Sequence, residues 1–175
     1  ASNALGIESR VGRLDVVFNA DADDNSDGFI YTRGSITTLG GDVLLYGGSS
    51  PSDAAWGYSY GVGFDNGTIN AGGGDIVVRG SAFGYWDQGA VRLQDAALIA
   101  TGAGTITVVG DRDLDEKGYT KDTTARHYVG LSLNDVVIET EDGAITLTGT
   151  TDMGVSDTVN GYYTAGVRLY EYGGA

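Results

Sequence analysis

The sequence predicts an all-β fold, and more specifically a right-handed parallel β-helix (solenoid) of about four to five coils with uncapped ends. Two observations lead to this prediction. Apolar residues alternate with polar ones along most of the chain, and no stretch of about 12 residues shows helical periodicity. A short strand–corner–strand unit also recurs four times, at intervals of 33, 30 and 39 residues. Intervals of this length are typical of solenoid repeats.

Each recurring unit is eight residues long, with an aliphatic residue at both ends and, in all four copies, a glycine shortly before the second one. The units read ITTLGGDV, INAGGGDI, IATGAGTI and IETEDGAI, and they begin at Ile36, Ile69, Ile99 and Ile138. Glycine permits positive φ angles and close backbone approach at a corner. Each unit is therefore predicted to be the end of one strand, a tight corner and the start of the next strand.

Three strand positions, called a, b and c, are predicted in each coil. The first and third residues of each strand are aliphatic and are expected to face the core. Beside the corners, Thr38, Ala71, Thr101 and Thr140 are expected to stack as small inward residues. Position a comprises 14–16, 43–45, 76–78, 106–108 and 145–147, position b carries Ile30, Val62, Val91, Leu131 and Val167, and position c starts at the four isoleucines.

The large variation in length falls in the connection from position a to position b. Ejected loops are expected at about 19–28, 47–60, 80–89, 110–129 and 149–165. Stacked coils explain this, because two corners must superimpose while the third side can extend outwards. Parallel crossovers are right-handed in about 98% of cases, which sets the expected hand. The whole chain, 1–175, is thus expected to be one β-helix segment of a longer solenoid.

Composition limits the classes of partner. The net charge is −14, from 24 acidic and 10 basic residues, and such a surface repels nucleic acid and anionic membranes. No apolar run approaches the roughly 20 residues that a membrane helix needs. The chain has no cysteine, which suits export through a periplasm without disulfides. We therefore expect neither nucleic-acid binding nor membrane insertion.

The succession of motifs along the chain resembles one protein family. RLDVVFNADADDNSDGFI, SITTLGGDVLLYGG, GTINAGGGDIVVRG and GTITVVG are similar to the repeats of large filamentous-haemagglutinin-like exoproteins of two-partner secretion systems. The resemblance spans nearly the whole chain. It implies a long right-handed parallel β-helix, an adhesin role, and a location that is secreted or on the bacterial cell surface. It implies no functional residue, because such repeats act as a scaffold and the binding surface differs among members.

One acidic segment fits the opening of a calcium-binding loop. In DDNSDGFI, the oxygens of Asp23, Asn25 and Asp27 alternate before a glycine, as they do in an EF-hand loop. The twelfth position, where a bidentate glutamate is expected, is Gly34. A solvated polar hairpin loop leaving strand a is the favoured explanation of the segment. Calcium is therefore left open as a cofactor, with affinity in the millimolar class of extracellular modules.

Two other segments contain residue types used in catalysis. Asp111, Asp113 and Asp115 alternate in the longest loop and suit a cation or sugar cleavage, but basic residues nearby favour a solvated charge cluster. His127, in the same loop, is expected to be a surface residue. The string GYSYG around Ser59 matches a nucleophile elbow, which needs a following helix, and none is predicted. The chain is therefore not expected to be an enzyme.

Aromatic residues concentrate in the a-to-b connections. Because these connections leave the coil on one side, they are expected to form a shared aromatic and acidic face that contacts sugar or protein. The alternative is that the rings pack on one another and cover strand a. The expected contact residues are Trp56, Tyr58, Tyr85, Trp86, Tyr119 and Tyr128.

Three functions are compatible with these patterns. The favoured one is a structural and adhesive segment, whose coil provides stiffness and whose loops contact a surface, a glycan or a protein. Polysaccharide lyases and hydrolases also occur on β-helices, but this is analogy from fold alone, and the outward faces offer only scattered Arg79, Arg92 and Arg168. The third is a self-stacking filament subunit, because uncapped coil ends pair end to end with other strands.

Overall fold

The structure is a computed structural model that describes residues 6–23, 28–83, 89–113, 127–152 and 163–171. Within these ranges the chain forms strands, turns and bends but no helix, so the expected all-β class is confirmed. The strands are β1 (Gly6–Glu8), β2 (Val16–Asn19), β3 (Ile30–Arg33), β4 (Ser35–Thr37), β5 (Val43–Tyr46), β6 (Ala55–Gly57), β7 (Val62–Gly72), β8 (Ile76–Ala82), β9 (Val91–Ala100), β10 (Ile106–Asp113), β11 (His127–Thr140), β12 (Ile145–Asp152) and β13 (Tyr163–Tyr170).

The strands form two sheets in which all the named strands pair in parallel. The first sheet has the order β1-β4-β7-β9-β11-β13, with β3 also paired to β7, and the second has the order β12-β10-β8-β5-β2, with β6 paired to β8. From β7 onwards, successive strands alternate between the sheets and each pairs with the strand two further along the chain. This arrangement is consistent with a parallel β-solenoid.

The predicted columns of inward residues at positions a and b are confirmed. In the second sheet Val43, Ile76, Ile106 and Ile145 are successive register partners. In the first sheet the partners are Ile30, Val62, Val91, Leu131 and Val167. One hydrophobic cluster contains buried residues of both sheets, so the core lies between them.

Two predicted registers are wrong. The first a strand begins at Val16, which pairs with Val43, and not at Leu14, because Asp15 belongs to the corner that precedes the strand. The third c strand is aligned on Leu98 and not on Ile99: Leu98 pairs with Ile69 and Ile138. Leu98 is fully buried, whereas Ile99 is half-buried on the other face.

The shift at Leu98 also changes the small residues beside the corners. Thr38 and Ala71 are buried as expected, but Thr101 is exposed. Its expected place is taken by Ala100, which is buried and pairs with Thr140. The corner after β9 therefore holds one more residue than its equivalents, and two adjacent aliphatics hide this in the sequence.

Several strands continue into ranges expected to be loops. β6 lies within 47–60, and β8 continues through Ala82. β10 continues through Asp113, β11 already begins at His127, and β12 continues through Asp152. These residues pair with the neighbouring strand of the same sheet, which satisfies their backbone groups.

Carboxylates connect the corners that precede strand a, and we call this set the carboxylate ladder: Asp15, Asp42 and Asp75, with Thr105. The backbone N–H of Asp42 donates to Asp15 Oδ1 (3.0 Å), that of Asp75 to Asp42 Oδ1 (3.0 Å), and that of Thr105 to Asp75 Oδ1 (2.7 Å). Arg13 pairs with both Asp15 and Asp42. The backbone hydrogen bond from Asp42 and the bond from Arg13 lower the pKa of Asp15.

The corner between positions b and c is built differently. Asn66, Asp95 and Asp135 adopt φ angles of 53°, 49° and 51°, and Gly34 one of 99°. Asparagine and aspartate tolerate this left-handed region better than other side chains. The residues before them are register partners, so the bend recurs at the same place along the first sheet. The outward face of position b therefore ends at this bend.

Candidate functional site

Polar and aromatic side chains from different strands meet on the outward face of the first sheet at position b. Ile30, Val62 and Val91 face the core, so the residues that follow them face outwards. Register places Tyr31, Gly63 and Arg92 in one row, and Arg33, Asp65 and Gln94 in the next. The parallel pairing therefore brings together side chains about 30 residues apart in sequence.

We call Tyr31, Arg33, Tyr60, Asp65 and Arg92 the Arg–Tyr cluster. The rings of Tyr31 and Tyr60 lie 5.7 Å apart at 39°. The Arg33 guanidinium carbon lies 5.3 Å from the centre of the Tyr31 ring, and that of Arg92 lies 5.7 Å from the centre of the Tyr60 ring. Each arginine thus lies over a tyrosine ring, an arrangement stabilised by cation–π attraction.

Gly63 makes the space for the two tyrosine rings. A Cβ at this position would lie 2.9 Å from Tyr31 Cδ2 and 2.9 Å from Tyr60 Cε2. Both distances are shorter than van der Waals contact allows. Gly63 lies between Tyr31 and Arg92 in the row, and the two rings occupy the space that a side chain at this position would take.

Asp65 ties the cluster to the sheet. Its Oδ2 accepts a hydrogen bond from the Tyr31 hydroxyl (2.9 Å) and forms an ion pair with Arg92. The side chain of Asp65 is 3% exposed and that of Arg92 17%, so the pair is largely removed from water. Asp65 Oδ1 is also buried, and no described residue donates a hydrogen bond to it.

Tyr60 has a perturbed phenol. Desolvation by burial raises its pKa, and the nearby Arg92 opposes this only in part. The free side chain titrates near about 10, so Tyr60 is a neutral phenol at physiological pH. Its hydroxyl can donate a hydrogen bond but does not act as a phenolate base.

A small aromatic pocket adjoins the cluster. Phe29, Tyr58, Ser59 and Tyr60 line a cavity of about 130 Å³. The rings of Phe29 and Tyr60 meet edge to face at 5.8 Å, and so do those of Tyr58 and Phe83. Phe29 is 59% exposed and Tyr58 41%. This grouping of exposed rings is typical of a contact surface.

Arg33 gives this region a local positive charge. It is exposed and forms no ion pair with any residue that the structure describes. Asp65 is already paired with Arg92, so the cluster has a net charge of about +1. This contrasts with the net charge of −14 of the whole chain.

Farther along the first sheet the same two rows are buried at β11 and half-buried at β13. Ser132 and Asn134, the register partners of Arg92 and Gln94, are 1% and 2% exposed. Beyond them Arg168 donates to the Ser132 hydroxyl (3.3 Å) and lies 4.6 Å from the centre of the Tyr170 ring. Among the described side chains of these two rows, the exposed ones are Tyr31 and Arg33 of β3.

The residues expected to contact a ligand are distributed unevenly. Tyr58 lines the pocket, and Trp56 is half-buried in β6, where it forms a β-bridge with Gly28, the residue before Phe29. Tyr128 does not belong to an exposed face: it is 2% exposed and its ring lies 5.7 Å from the buried Arg112 guanidinium. The other three, Tyr85, Trp86 and Tyr119, lie outside the described residues.

The expected calcium ligands are only partly described. Asp23 is exposed in a turn after β2, whereas Asn25 and Asp27 lie outside the described residues. In the described part of the chain, no group of three or more histidine, cysteine, aspartate or glutamate side chains is arranged to hold a metal ion. Calcium binding stays a prediction.

The residues considered for catalysis are dispersed. Asp111 is exposed and accepts a hydrogen bond from the Thr150 hydroxyl, Asp113 is a register partner of Asp152, and Asp115 lies outside the described residues. The segment around Ser59 leads into strand β7 and not into a helix. His127 is the first residue of β11.

Sequence reasoning missed Phe29, Tyr31, Arg33 and Asp65 as site residues. The signal was available in the predicted b column. Tyr31 and Arg92 follow the aligned Ile30 and Val91 by one residue, and the confirmed register puts them in one row. The proximity of Tyr31 and Arg92 was missed because Arg92 was regarded as one of several scattered arginines. Phe29 was missed because it was assigned to the calcium motif.

Comparison of the chain with protein-family models, curated proteins and solved structures finds no match. The function is therefore inferred from the site and the fold. Within the described ranges, no helix is long and apolar enough to span a membrane.

Proposed function

We propose that the chain is a right-handed parallel β-helix segment of about four to five coils, within a large secreted or cell-surface exoprotein of the filamentous-haemagglutinin-like kind. It acts as a rigid scaffold that presents an aromatic site for contact with a surface glycan or protein. The observation that carries this function is the exposed pocket of Phe29, Tyr58 and Tyr60, placed beside the Arg–Tyr cluster on a regular parallel sheet.

Rigidity of the scaffold is supported by two features. The inward columns are built from fully buried aliphatic side chains, such as Val62 in the first sheet and Val43 and Ile76 in the second. The carboxylate ladder adds side-chain hydrogen bonds from one strand-a corner to the next. Because both features repeat with the strands, the scaffold holds the pocket in one position, which lowers the entropic cost of binding.

Binding without turnover fits the chemistry of the cluster better than polysaccharide cleavage does. Glycoside hydrolases use two carboxyl groups, whereas the cluster has only Asp65, which is buried and engaged by Arg92 and Tyr31. Lyase chemistry needs a base, and the raised pKa of Tyr60 keeps its phenol neutral. A reducing-sugar assay on the glycans that bind tests this alternative directly.

A second candidate function, end-to-end contact with neighbouring coils, is supported by the last two strands. Ile145, Val167 and Leu169 are 43%, 38% and 71% exposed, although their register partners in β10 and β11 are buried. Inward columns that remain open favour contact with a further coil. Analytical ultracentrifugation tests this: elongated, concentration-dependent assembly supports it, and a species that stays monomeric contradicts it.

The experiment for the main proposal is a glycan array probed with and without calcium. Wild-type protein is expected to bind at least one class of glycan. Phe29→Ala should reduce the signal about tenfold by removing an exposed ring of the pocket. Leu39→Ala, which removes another half-exposed apolar side chain, should not change the signal. No binding, or binding that is indifferent to Phe29, would contradict the proposal.

A further inference from the structure

We infer that the aromatic pocket of Phe29, Tyr58, Ser59 and Tyr60 binds a trimethylammonium group, such as the head of a choline unit. This rests on the proposed contact function and names the chemical group that the pocket takes. Three properties of the site lead to it: the size of the pocket, the arrangement of its rings, and the charge around it.

The pocket has room for a compact group. Its volume is about 130 Å³, and an apolar cavity of about 150 Å³ in a protein binds one benzene molecule. Drug-sized ligands and cofactors occupy about 300–1,000 Å³, so they are too large. A trimethylammonium head consists of a nitrogen and its methyl groups and has fewer heavy atoms than benzene. It therefore fits, with the rest of the ligand outside.

The walls present aromatic rings in different orientations. The rings of Phe29 and Tyr60 lie 5.8 Å apart at 85°, so they form a corner of two nearly perpendicular surfaces. Tyr58 supplies a third ring, which contacts Phe83 edge to face. The faces of such rings carry negative potential and attract a quaternary ammonium group, as in an aromatic cage. A neutral group of the same shape gains no such attraction.

The polar groups at the pocket favour a quaternary ammonium over a primary one. A primary ammonium carries three N–H donors, which need acceptors once they leave water. Among the described residues, the side chains that line the pocket offer hydroxyls but no carboxylate. A trimethylammonium group has no N–H, so it leaves no donor unpaired when it enters.

The charge around the pocket admits a cation. No charged side chain of the described residues lines it. Arg92 lies over Tyr60 but is paired with Asp65, and Arg33 lines a separate cavity beside β1. The chain as a whole carries −14, and a field of this sign attracts cations.

The test compares choline with its neutral carbon analogue, in which a tert-butyl group replaces the trimethylammonium group and the shape is unchanged. Isothermal titration is performed with the wild-type chain, Phe29→Leu, Tyr58→Leu and the control Tyr46→Leu. Leucine keeps an apolar side chain but removes the aromatic face. Phe29 and Tyr58 are exposed, so their replacement should preserve the fold, and circular dichroism checks this. Tyr46 lies in β5 and does not line the pocket.

The wild type is expected to bind choline about tenfold more tightly than the carbon analogue, because attraction by several ring faces adds to apolar contact. Phe29→Leu and Tyr58→Leu should each reduce this ratio about threefold, and Tyr46→Leu should not change it. Equal affinity for the two ligands in the wild type overturns the inference and leaves the contact function standing. If neither ligand binds, the inference also fails, and the glycan array then shows whether the proposed function fails with it.

A third ligand, phosphocholine, identifies the source of the head. It carries the same trimethylammonium group with a phosphate on its tether. Binding comparable to that of choline supports a head presented on a phosphate, as on a decorated glycan. Much weaker binding, with the choline preference retained, supports a choline unit without a phosphate, because the acidic chain repels the phosphate.

Discussion

The carboxylate ladder and the Arg–Tyr cluster both place aspartate and arginine on the outside of the sheets, but their partners differ. In the ladder, Asp15, Asp42 and Asp75 each accept a backbone N–H of the next corner. In the cluster, Asp65 accepts hydrogen bonds from two side chains, and its neighbours in the row, Arg33 and Gln94, are different residue types.

The difference separates charges that bond to the backbone of the next coil from charges that bond to other side chains at the candidate site. A side chain that bonds to the backbone of the next coil can recur at the same register, as aspartate does three times in the ladder. A side chain that bonds to other side chains depends on which residues surround it. Asp65 therefore occurs once in its row, between Arg33 and Gln94. The irregular row in an otherwise periodic sheet therefore marks the candidate site.

The largest effect is expected where the cluster loses its buried charge pair. Asp65→Ala leaves Arg92, which is 17% exposed, without its carboxylate, and breaking such a pair costs about 3 kcal/mol. Urea unfolding measures the loss. The double variant Asp65→Ala/Arg92→Met should recover much of it, because no charge is then left unpaired. A loss below about 0.5 kcal/mol in the single variant would mean that the pair does not hold the cluster.

A smaller loss of stability is expected when a side chain is added at Gly63, beneath the rings of the cluster. Gly63→Ala places a Cβ 2.9 Å from both the Tyr31 and Tyr60 rings, and overpacking of this kind costs about 1–3 kcal/mol. Glycan binding by Gly63→Ala should be weaker than glycan binding by the control Gly73→Ala, where a Cβ meets no heavy atom within 4 Å. Unchanged glycan binding by Gly63→Ala would show that the pocket does not depend on the packing of the Tyr31 and Tyr60 rings.

In the ladder, single deletions should cost less. Asp75→Ala removes the acceptor for the Thr105 backbone N–H and hydroxyl. Because Asp75 is exposed, water replaces part of this and the expected loss is about 1 kcal/mol. Asp75→Asn keeps an oxygen acceptor and should cost less than Asp75→Ala. Equal losses in the two variants would show that charge and not the hydrogen bond is what matters.

The smallest effects are expected on pH dependence, with opposite signs in the two regions. The lowered pKa of Asp15 gives stability that is present above the unfolded value near about 3.9 and lost as pH falls through the folded pKa. The raised pKa of Tyr60 gives stability that is present below about 10 and lost as pH rises through the folded pKa.

Thermal unfolding across pH measures both slopes. Asp15→Asn should reduce the acid slope alone, and Tyr60→Phe the alkaline slope alone. If either variant changed the opposite slope, the assignment of these two pKa shifts to separate regions would be wrong.

The sequence allowed the parts of the fold that depend on periodicity to be predicted. Ile30, Val62 and Val91 were aligned correctly because none of them has a valine, leucine or isoleucine as a direct neighbour, which leaves one choice of register. Leu98 and Ile99 are adjacent aliphatics, so spacing alone could not decide which of them faces the core. The structure shows that it is Leu98, which is fully buried, whereas Ile99 is half-buried. Leu14 packs against the core as expected but lies in the corner before β2, where Asp15 accepts the ladder hydrogen bond from Asp42.

The site was less predictable because it depends on distances across the sheet. Tyr31 and Tyr60 are 29 positions apart in sequence, and the space for their two rings exists only because Gly63 has no side chain. Tyr128 was expected at the surface on composition, yet its ring lies against Arg112 and is buried. Aromatic content predicts that contacts exist, while burial decides which rings are free to make them.

The central claim is that successive strands stack in register, and engineered disulfides test it most directly. The chain has no cysteine, so Thr107→Cys/Thr146→Cys introduces a single pair at register partners. Their Cα atoms lie about 4.8 Å apart across a parallel sheet, within the range for a disulfide. In the control Thr107→Cys/Thr148→Cys, the second position is two residues further along the strand and the separation is about 8 Å.

Mass spectrometry after mild oxidation is expected to show an intramolecular disulfide in the first variant and free thiols in the control. A disulfide in the control, or none in the first variant, would contradict the register on which the scaffold and the site both depend.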